Sequence, residues 1–118
     1  MKINSTEFGS ITISGKTYDH DVVIRLSERV VKRKKKLSKR IYGTSHTVSE
    51  DEARFVFEKG CKALIFGTGQ YGNATLSPEA AAFLEGKGCR VIAEPTPDAV
   101  RTFNRRDTLK IGLFHVTC

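Results

Sequence analysis

Residues Cys61–Gly88, CKALIFGTGQYGNATLSPEAAAFLEGKG, decide how the rest of the chain is read. Ala63, Leu64, Ile65 and Phe66 form an unbroken apolar run, the pattern of a strand covered on both faces. Gly67, Gly69 and Gly72 follow and let the backbone turn without a side-chain penalty. Ser77-Pro78-Glu79 then predicts a helix start, with a capping serine, proline at the first helical position and an acid in the first turn. Gly86 and Gly88 close the helix. Strand, glycine loop and capped helix make the first half of a β-α-β unit, and the chain beyond repeats it.

Gly67-Thr68-Gly69-Gln70-Tyr71-Gly72 also fits G-x-G-x-x-G after a strand, with Glu94 about 20 residues further on. In a dinucleotide site the helix starts among the glycines, so that its free N–H groups meet the pyrophosphate. A helix starting there would hold Pro78 inside it, where proline lacks its donor and clashes with the preceding turn. The glycines therefore read as a tight structural loop or a smaller anion site, not a dinucleotide fingerprint.

Downstream, Arg90–Ala93 predicts a second parallel strand. Thr96 and Pro97 predict a helix with Thr96 as cap and Ala99, Val100 and Phe103 facing inward. Lys110–Cys118 predicts a last strand, whose direction the sequence leaves open. Upstream, Ser49-Glu50-Asp51-Glu52 reads as a capping box opening a helix to Lys59 that buries Ala53, Val56 and Phe57. Ile41–Val48 reads as a polar loop. The first third predicts an antiparallel meander: Phe8–Ile13, a Ser14-Gly15 turn, Lys16–Tyr18, then Val22–Leu26 and Arg29–Arg33. Val22, Ile24 and Leu26 are expected to share one face, with the alternate side exposed. The fold class is α/β: the meander, then α-β-α-β-α-β with a small, mainly parallel sheet, in one domain over residues 1–118.

The chain has 118 residues, a net charge of +7 and no apolar run of membrane-spanning length. Met1–Ser5 lacks a signal-peptide core, so the expected location is cytoplasmic, with no membrane partner. Cys61, Cys89 and Cys118 show no C-x-x-C spacing, which indicates neither a disulfide framework nor a zinc knuckle. The basicity is local. Eight of the 20 Lys and Arg residues fall between Arg29 and Arg40, and the remaining 12 face 13 acids. That run reads either as an exposed edge strand guarded by cations or as a weak nucleic-acid or phosphate contact. It lacks the interleaved aromatics that stack on bases.

Seven motifs carry a resemblance that spans almost the whole chain. They are Phe8-Gly9-Ser10, Tyr18-Asp19-His20-Asp21-Val22, Tyr42-Gly43-Thr44-Ser45-His46, Gly67-Thr68-Gly69, Pro95-Thr96-Pro97-Asp98-Ala99, Phe103-Asn104 and His115-Val116-Thr117-Cys118. In them the chain resembles the small Mth-type domain family. Its members include archaeal and bacterial proteins of unknown function, adipogenesis-associated Mth-domain proteins and an assembly factor for mitochondrial respiratory complex I. The resemblance implies a compact three-layer β/β/α fold, no established enzymatic activity and no required cofactor. The targeting extensions of the assembly-factor relatives are absent here, which favours a stand-alone cytoplasmic protein.

His20, His46, His115 and Cys118 are the side chains with chemistry to offer. Their spacing supplies no local metal pair, and a metal is not expected. A Cys118 nucleophile with a histidine base is conceivable, but a carboxylate on Cys118 itself would disfavour the thiolate. The expected site follows from direction. Helices of β-α-β units begin at the carboxyl ends of their parallel strands. If the last strand is parallel too, Thr44, Ser45, His46, Gly67, Thr68, Gly69, Gln70, Pro95, Thr96, His115 and Cys118 line one cleft there. Helix starts and glycine-loop N–H groups favour an anion. The alternative is that the caps serve only their own helices and side chains fill the cleft. The function expected is thus a binding or assembly module taking an anionic small molecule or a protein partner. The alternatives are an enzyme using the same cleft, or a nucleic-acid binder through residues 29–40.

Overall fold

A computed structural model describes residues 1–118. In chain order the strands are β1 (Ile3–Glu7), β2 (Ser10–Ile13), β3 (Lys16–Tyr18), β4 (Val22–Ile24) and β5 (Val30–Lys32). Next come α1 (Lys36–Tyr42), β6 (Thr47–Val48), α2 (Glu50–Val56), β7 (Ala63–Thr68), β8 (Thr75–Leu76) and α3 (Pro78–Gly86). The chain closes with β9 (Arg90–Glu94), α4 (Thr96–Arg105) and β10 (Lys110–His115). The central sheet has the order β5-β4-β10-β7-β9. Its β10, β7 and β9 are mutually parallel, while β4 and β5 add antiparallel at one side. An antiparallel sheet, β1-β2-β3, forms a second layer, and β6 and β8 make a short parallel pair. The fold is α/β.

All of β7 is buried, as its unbroken apolar run requires. Leu64 and Phe66 point into one apolar cluster with Val56 of α2 and Ala80 and Leu84 of α3. Ala63 and Ile65 point into another, with Ile3, Ile11 and Ile13 of the second sheet and Ala99, Val100 and Phe103 of α4. The split between faces has a topological cause. From β7 the chain steps outward to β9 through α3, then back past β7 to β10 through α4. Right-handed crossovers taken in opposite directions lay their helices on opposite faces.

Several local expectations change. The meander divides between two sheets: β4 leaves β3 and pairs with β10 in the central sheet. Both faces of β4 are therefore covered, and Val23 is as buried as Val22 and Ile24. Leu26 lies beyond the strand and packs with Val23, not with Val22 and Ile24. A further strand, β1, escapes sequence reading because INSTE offers one apolar residue to its alternation. The basic run is an edge strand only over Val30–Lys32. Lys36–Tyr42, expected as edge strand and loop, is a helix of good helix formers. It ends at Gly43, whose φ of 71° lets its amide reach the Lys39 carbonyl at 2.8 Å. The helix after Ser49 stops at Val56, and Phe57 is its half-buried C-cap.

Candidate functional site at the carboxyl ends of the parallel strands

β10 runs parallel to β7 in register from Lys110↔Ala63 to His115↔Thr68, so residues 115–118 and the glycine loop leave the sheet side by side. The caps bring the other loops to this edge. Ser77 Oγ accepts the Ala80 amide at 3.0 Å and Ser49 Oγ accepts the Glu52 amide at 3.1 Å. The Thr75 amide donates to the His46 carbonyl at 2.8 Å, so the loop before α2 is tied to the loop before α3. His46 and His115 meet edge to face with ring centroids 5.4 Å apart.

The strand order reverses its direction of travel between β7 and β10, the place where open α/β sheets usually leave a crevice. Here the chain fills it. The Gly69 amide donates to Thr96 Oγ1 at 2.9 Å, and Thr96 Oγ1 donates to the His115 carbonyl at 2.6 Å. The Gln70 amide donates to the Thr117 carbonyl at 2.6 Å, and the Asn73 amide to the Cys118 carbonyl at 3.1 Å. Gly69, at φ +106°, has no room for a side chain: a Cβ would lie 2.7 Å from the Cys118 carbonyl oxygen and 2.9 Å from the His115 ring. The Gly69, Gln70, Gly72 and Asn73 amides are thus spent on the protein itself. Thr96 is not the cap of α4 either, because Pro95 holds that position and the Thr96 hydroxyl bridges the two strand ends instead.

Of the residues expected at this edge, Gly67, Thr68, Gly69, Thr96 and His115 are buried. Thr44, Ser45, His46, Gln70 and Cys118 are half-buried, and Pro95 is exposed. No three His, Cys, Asp or Glu side chains gather in a way that could hold a metal. Beside the edge stands an exposed aromatic pair, Phe8 and Tyr71, with ring centroids 6.1 Å apart. Their neighbours tie them to it: the Gly9 amide donates to the Val116 carbonyl at 2.8 Å, and Gln70 Nε2 donates to Thr6 Oγ1 at 3.0 Å.

Beneath the surface lies a polar network that sequence reading missed. Arg33 is 4% exposed. Its Nε donates to Glu52 Oε2 at 2.5 Å, Nη1 to Asp21 Oδ2 at 2.9 Å, and Nη2 to Glu52 Oε1 at 3.0 Å and the Ser45 carbonyl at 2.7 Å. Asp21 also accepts from His115 Nδ1 at 2.7 Å and from the Val116 amide at 2.8 Å. Burial alone would push the Asp21 carboxyl up, but the bonds from His115 and Val116 and the charge of Arg33 overcome it and hold it at about 2. Burial alone would pull the Arg33 guanidinium down, and Glu52 and Asp21 reverse that, leaving it raised. The network corrects two sequence readings. Arg33 is no solvated member of a charge run, and Glu52 does not complete a capping box. Its carboxylate serves Arg33 and the Ser38 hydroxyl, and Ser38 Oγ takes the Ser49 amide in its place at 2.9 Å. Arg33 and Glu52 carried no signal that set them apart in sequence, since one sat among seven other cations and the other fitted a cap.

Asp21, His115 and Thr117 form an acid–imidazole–hydroxyl array, with Thr117 Oγ1 3.2 Å from His115 Nε2. The imidazole is buried and the carboxylate is shared with Arg33, so the array clamps the last strand to the Asp21 loop. The cavities lie elsewhere: none is lined by residues 44–46, 67–70, 95–96 or 115–118.

Comparison with known proteins agrees with this fold. A family model described as "Protein of unknown function (DUF498/DUF598)" matches residues 3–106. The crystal structure of a conserved hypothetical protein from Pyrococcus horikoshii is 36% identical, with full coverage of both chains and a TM-score of 0.94. A solved structure named MT938 is 28% identical over 99% of this chain and 98% of its own, with a TM-score of 0.86. A Mth938-like domain of Bordetella pertussis shares the fold at 18% identity and a TM-score of 0.63, over 98% of this chain and 85% of its own. A search of curated proteins gave no match.

Proposed function

This chain belongs to the family of unknown function DUF498/DUF598, the Mth-type small domains, and within it we propose a binding or assembly module whose working surface is the carboxyl-end edge of β7, β9 and β10. The observation that supports this reading is a rigid, internally bonded edge carrying an exposed aromatic pair, Phe8 and Tyr71. Binding surfaces that order little on association lose least entropy, and exposed aromatics are the usual anchors of protein contacts. Thr44, Ser45, His46, Gln70 and Cys118 are the polar contacts of the proposed surface, and Pro95 adds an exposed apolar ring. Gly67, Thr68, Gly69, Thr96 and His115 hold the loops beneath it. The occupant this surface fits best is a protein partner. An anionic small ligand is the second reading; it rests on half-exposed His46 alone, since the Arg33 guanidinium under Ser45 is already answered by Glu52 and Asp21.

Affinity capture with the wild type and a Phe8→Ser/Tyr71→Ser variant in parallel tests the first reading. A partner held by the wild type and lost by an equally stable variant is expected; equal retention by both would refute it. For the second, phosphate titrated against the His46 ring signals should shift them saturably, and an unchanged spectrum rules it out.

A further inference from the structure

We infer a second, separate site: a basic trough between β5 and α1 that takes a compact anion carrying several linked phosphate groups. The largest cavity of the molecule, about 550 Å³, is lined by Lys32, residues 34–37 and Arg40, with an edge of Arg33. A second hollow of about 300 Å³ shares Lys32 and Lys34 and adds Arg25, Arg29, Val31 and Phe55. The two hollows adjoin through Lys32 and Lys34, and apart from buried Arg33 and half-buried Arg25 their cations are exposed.

The acids nearby leave most of these charges unanswered. Asp51 pairs with Arg40 at 2.8 Å and Glu58 with Arg25 at 3.6 Å, while Arg29, Lys32, Lys34, Lys35 and Lys36 have no carboxylate within salt-bridge distance. Edge protection accounts for few of them. β5 is the edge strand and ends at Lys32, so Lys34, Lys35 and Lys36 lie past the edge that lysines would guard. Their position also costs stability. Lys36 opens α1, Lys35 precedes it, and no acid stands in its first turn, so like charges crowd the positive end of the helix dipole. Local rules broken without an internal compensation mark positions kept for another purpose.

Shape and composition narrow the ligand. The larger hollow is concave and of small-ligand size. Four lysines and Arg40 line it, largely with their aliphatic stems, and their charged ends suit the oxygens of a phosphate chain held there. No aromatic lines it, so nothing there stacks on a base. Phe55, in the smaller hollow, has its ring covered by Lys34 at 4.7 Å and Arg25 at 5.4 Å. The trough therefore recognises the phosphate chain and ignores what is attached to it.

Calorimetric titration of the intact protein with tripolyphosphate tests this, with ATP, orthophosphate and a single-stranded RNA oligomer as parallel arms. Tripolyphosphate and ATP should bind with similar affinity, orthophosphate much more weakly. Binding should weaken steeply between about 50 and 200 mM salt. The variant Lys32→Gln/Lys34→Gln/Lys35→Gln/Lys36→Gln should lose at least roughly tenfold in affinity with its melting curve kept, because these charges carry the contact. His46→Ala should leave binding unchanged, which separates the trough from the carboxyl-end edge. ATP bound far more tightly than tripolyphosphate would show that the chain is read through its nucleoside. The proposal falls on that outcome, on absent tripolyphosphate binding at low salt, on undiminished binding by the lysine variant, or on RNA bound more tightly than tripolyphosphate.

Discussion

Asp21 holds three groups at once, the His115 imidazole, the Arg33 guanidinium and the Val116 amide, and every one of them favours its ionised form. Its pKa falls from the ordinary 3.8 to about 2 on folding, so the folded state binds this proton less readily than the unfolded state. The resulting stability is fully present above about pH 4 and is lost as pH falls toward 2; at 1.36 kcal/mol per unit it amounts to about 2 kcal/mol. Asp21→Asn should flatten that part of the stability curve, as urea unfolding between pH 2 and 7 would show. Arg33→Met leaves the buried Glu52 carboxylate with no cation and Asp21 with only His115 and Val116, and should cost about 3–5 kcal/mol at neutral pH. Gly69→Ala combines a disallowed φ with a clash against Cys118 and His115, and should cost about 2–4 kcal/mol. Gly86→Ala meets open space at the end of α3 and should be neutral or slightly stabilising, which makes it the control.

The β5–α1 segment mixes two kinds of cation that look alike in sequence. Lys34, Lys35 and Lys36 are exposed and have no carboxylate partner. Relief of the crowded start of α1 and loss of the Lys34 contact with Phe55 oppose each other, so changing all three to Gln should move stability by no more than about 0.5 kcal/mol. A loss above about 2 kcal/mol in thermal or urea unfolding would mean they have paired roles that the structure does not contain. The contrast with Arg33 marks the limit of what the sequence could convey. Strand, glycine loop and capped helix were legible over 61–88 because apolar run, serine cap, proline and closing glycines all point the same way. Helix 36–42 was not, because a run of lysines hides both its inward Ser38 and its outward cations. Partner choice was not legible either: nothing local in Val22–Ile24 says that it pairs with β10 and not with β3. For the candidate edge, the convergence of loops followed from strand direction. The use of the loop amides by residues 115–118 depends on side-by-side distances that no pattern encodes.

In the molecule as a whole, both faces of the central sheet depend on elements from distant parts of the chain. Val22 and Ile24 of β4 pack with Ala63, Ile65 and Phe114, under a cover that includes Ile3, Ile11 and Ile13. Residues 43–118 expressed alone would lose that cover, the Arg33 network and the strand beside β10, so a fragment without a cooperative melt is expected. A sharp transition near that of the full chain would show two independent units instead. The same construction makes the carboxyl-end edge rigid and leaves Phe8, Tyr71 and His46 at its surface, while the end of α3 lies at the opposite ends of the strands. A photo-reactive phenylalanine placed at Tyr71, and separately at exposed Glu85, therefore tests the proposed surface most directly when illuminated in native cells. A discrete adduct from position 71, lost on adding Phe8→Ser and His46→Ala and absent from position 85, is the predicted result. No adduct at position 71, or the same adduct from both positions, would contradict it.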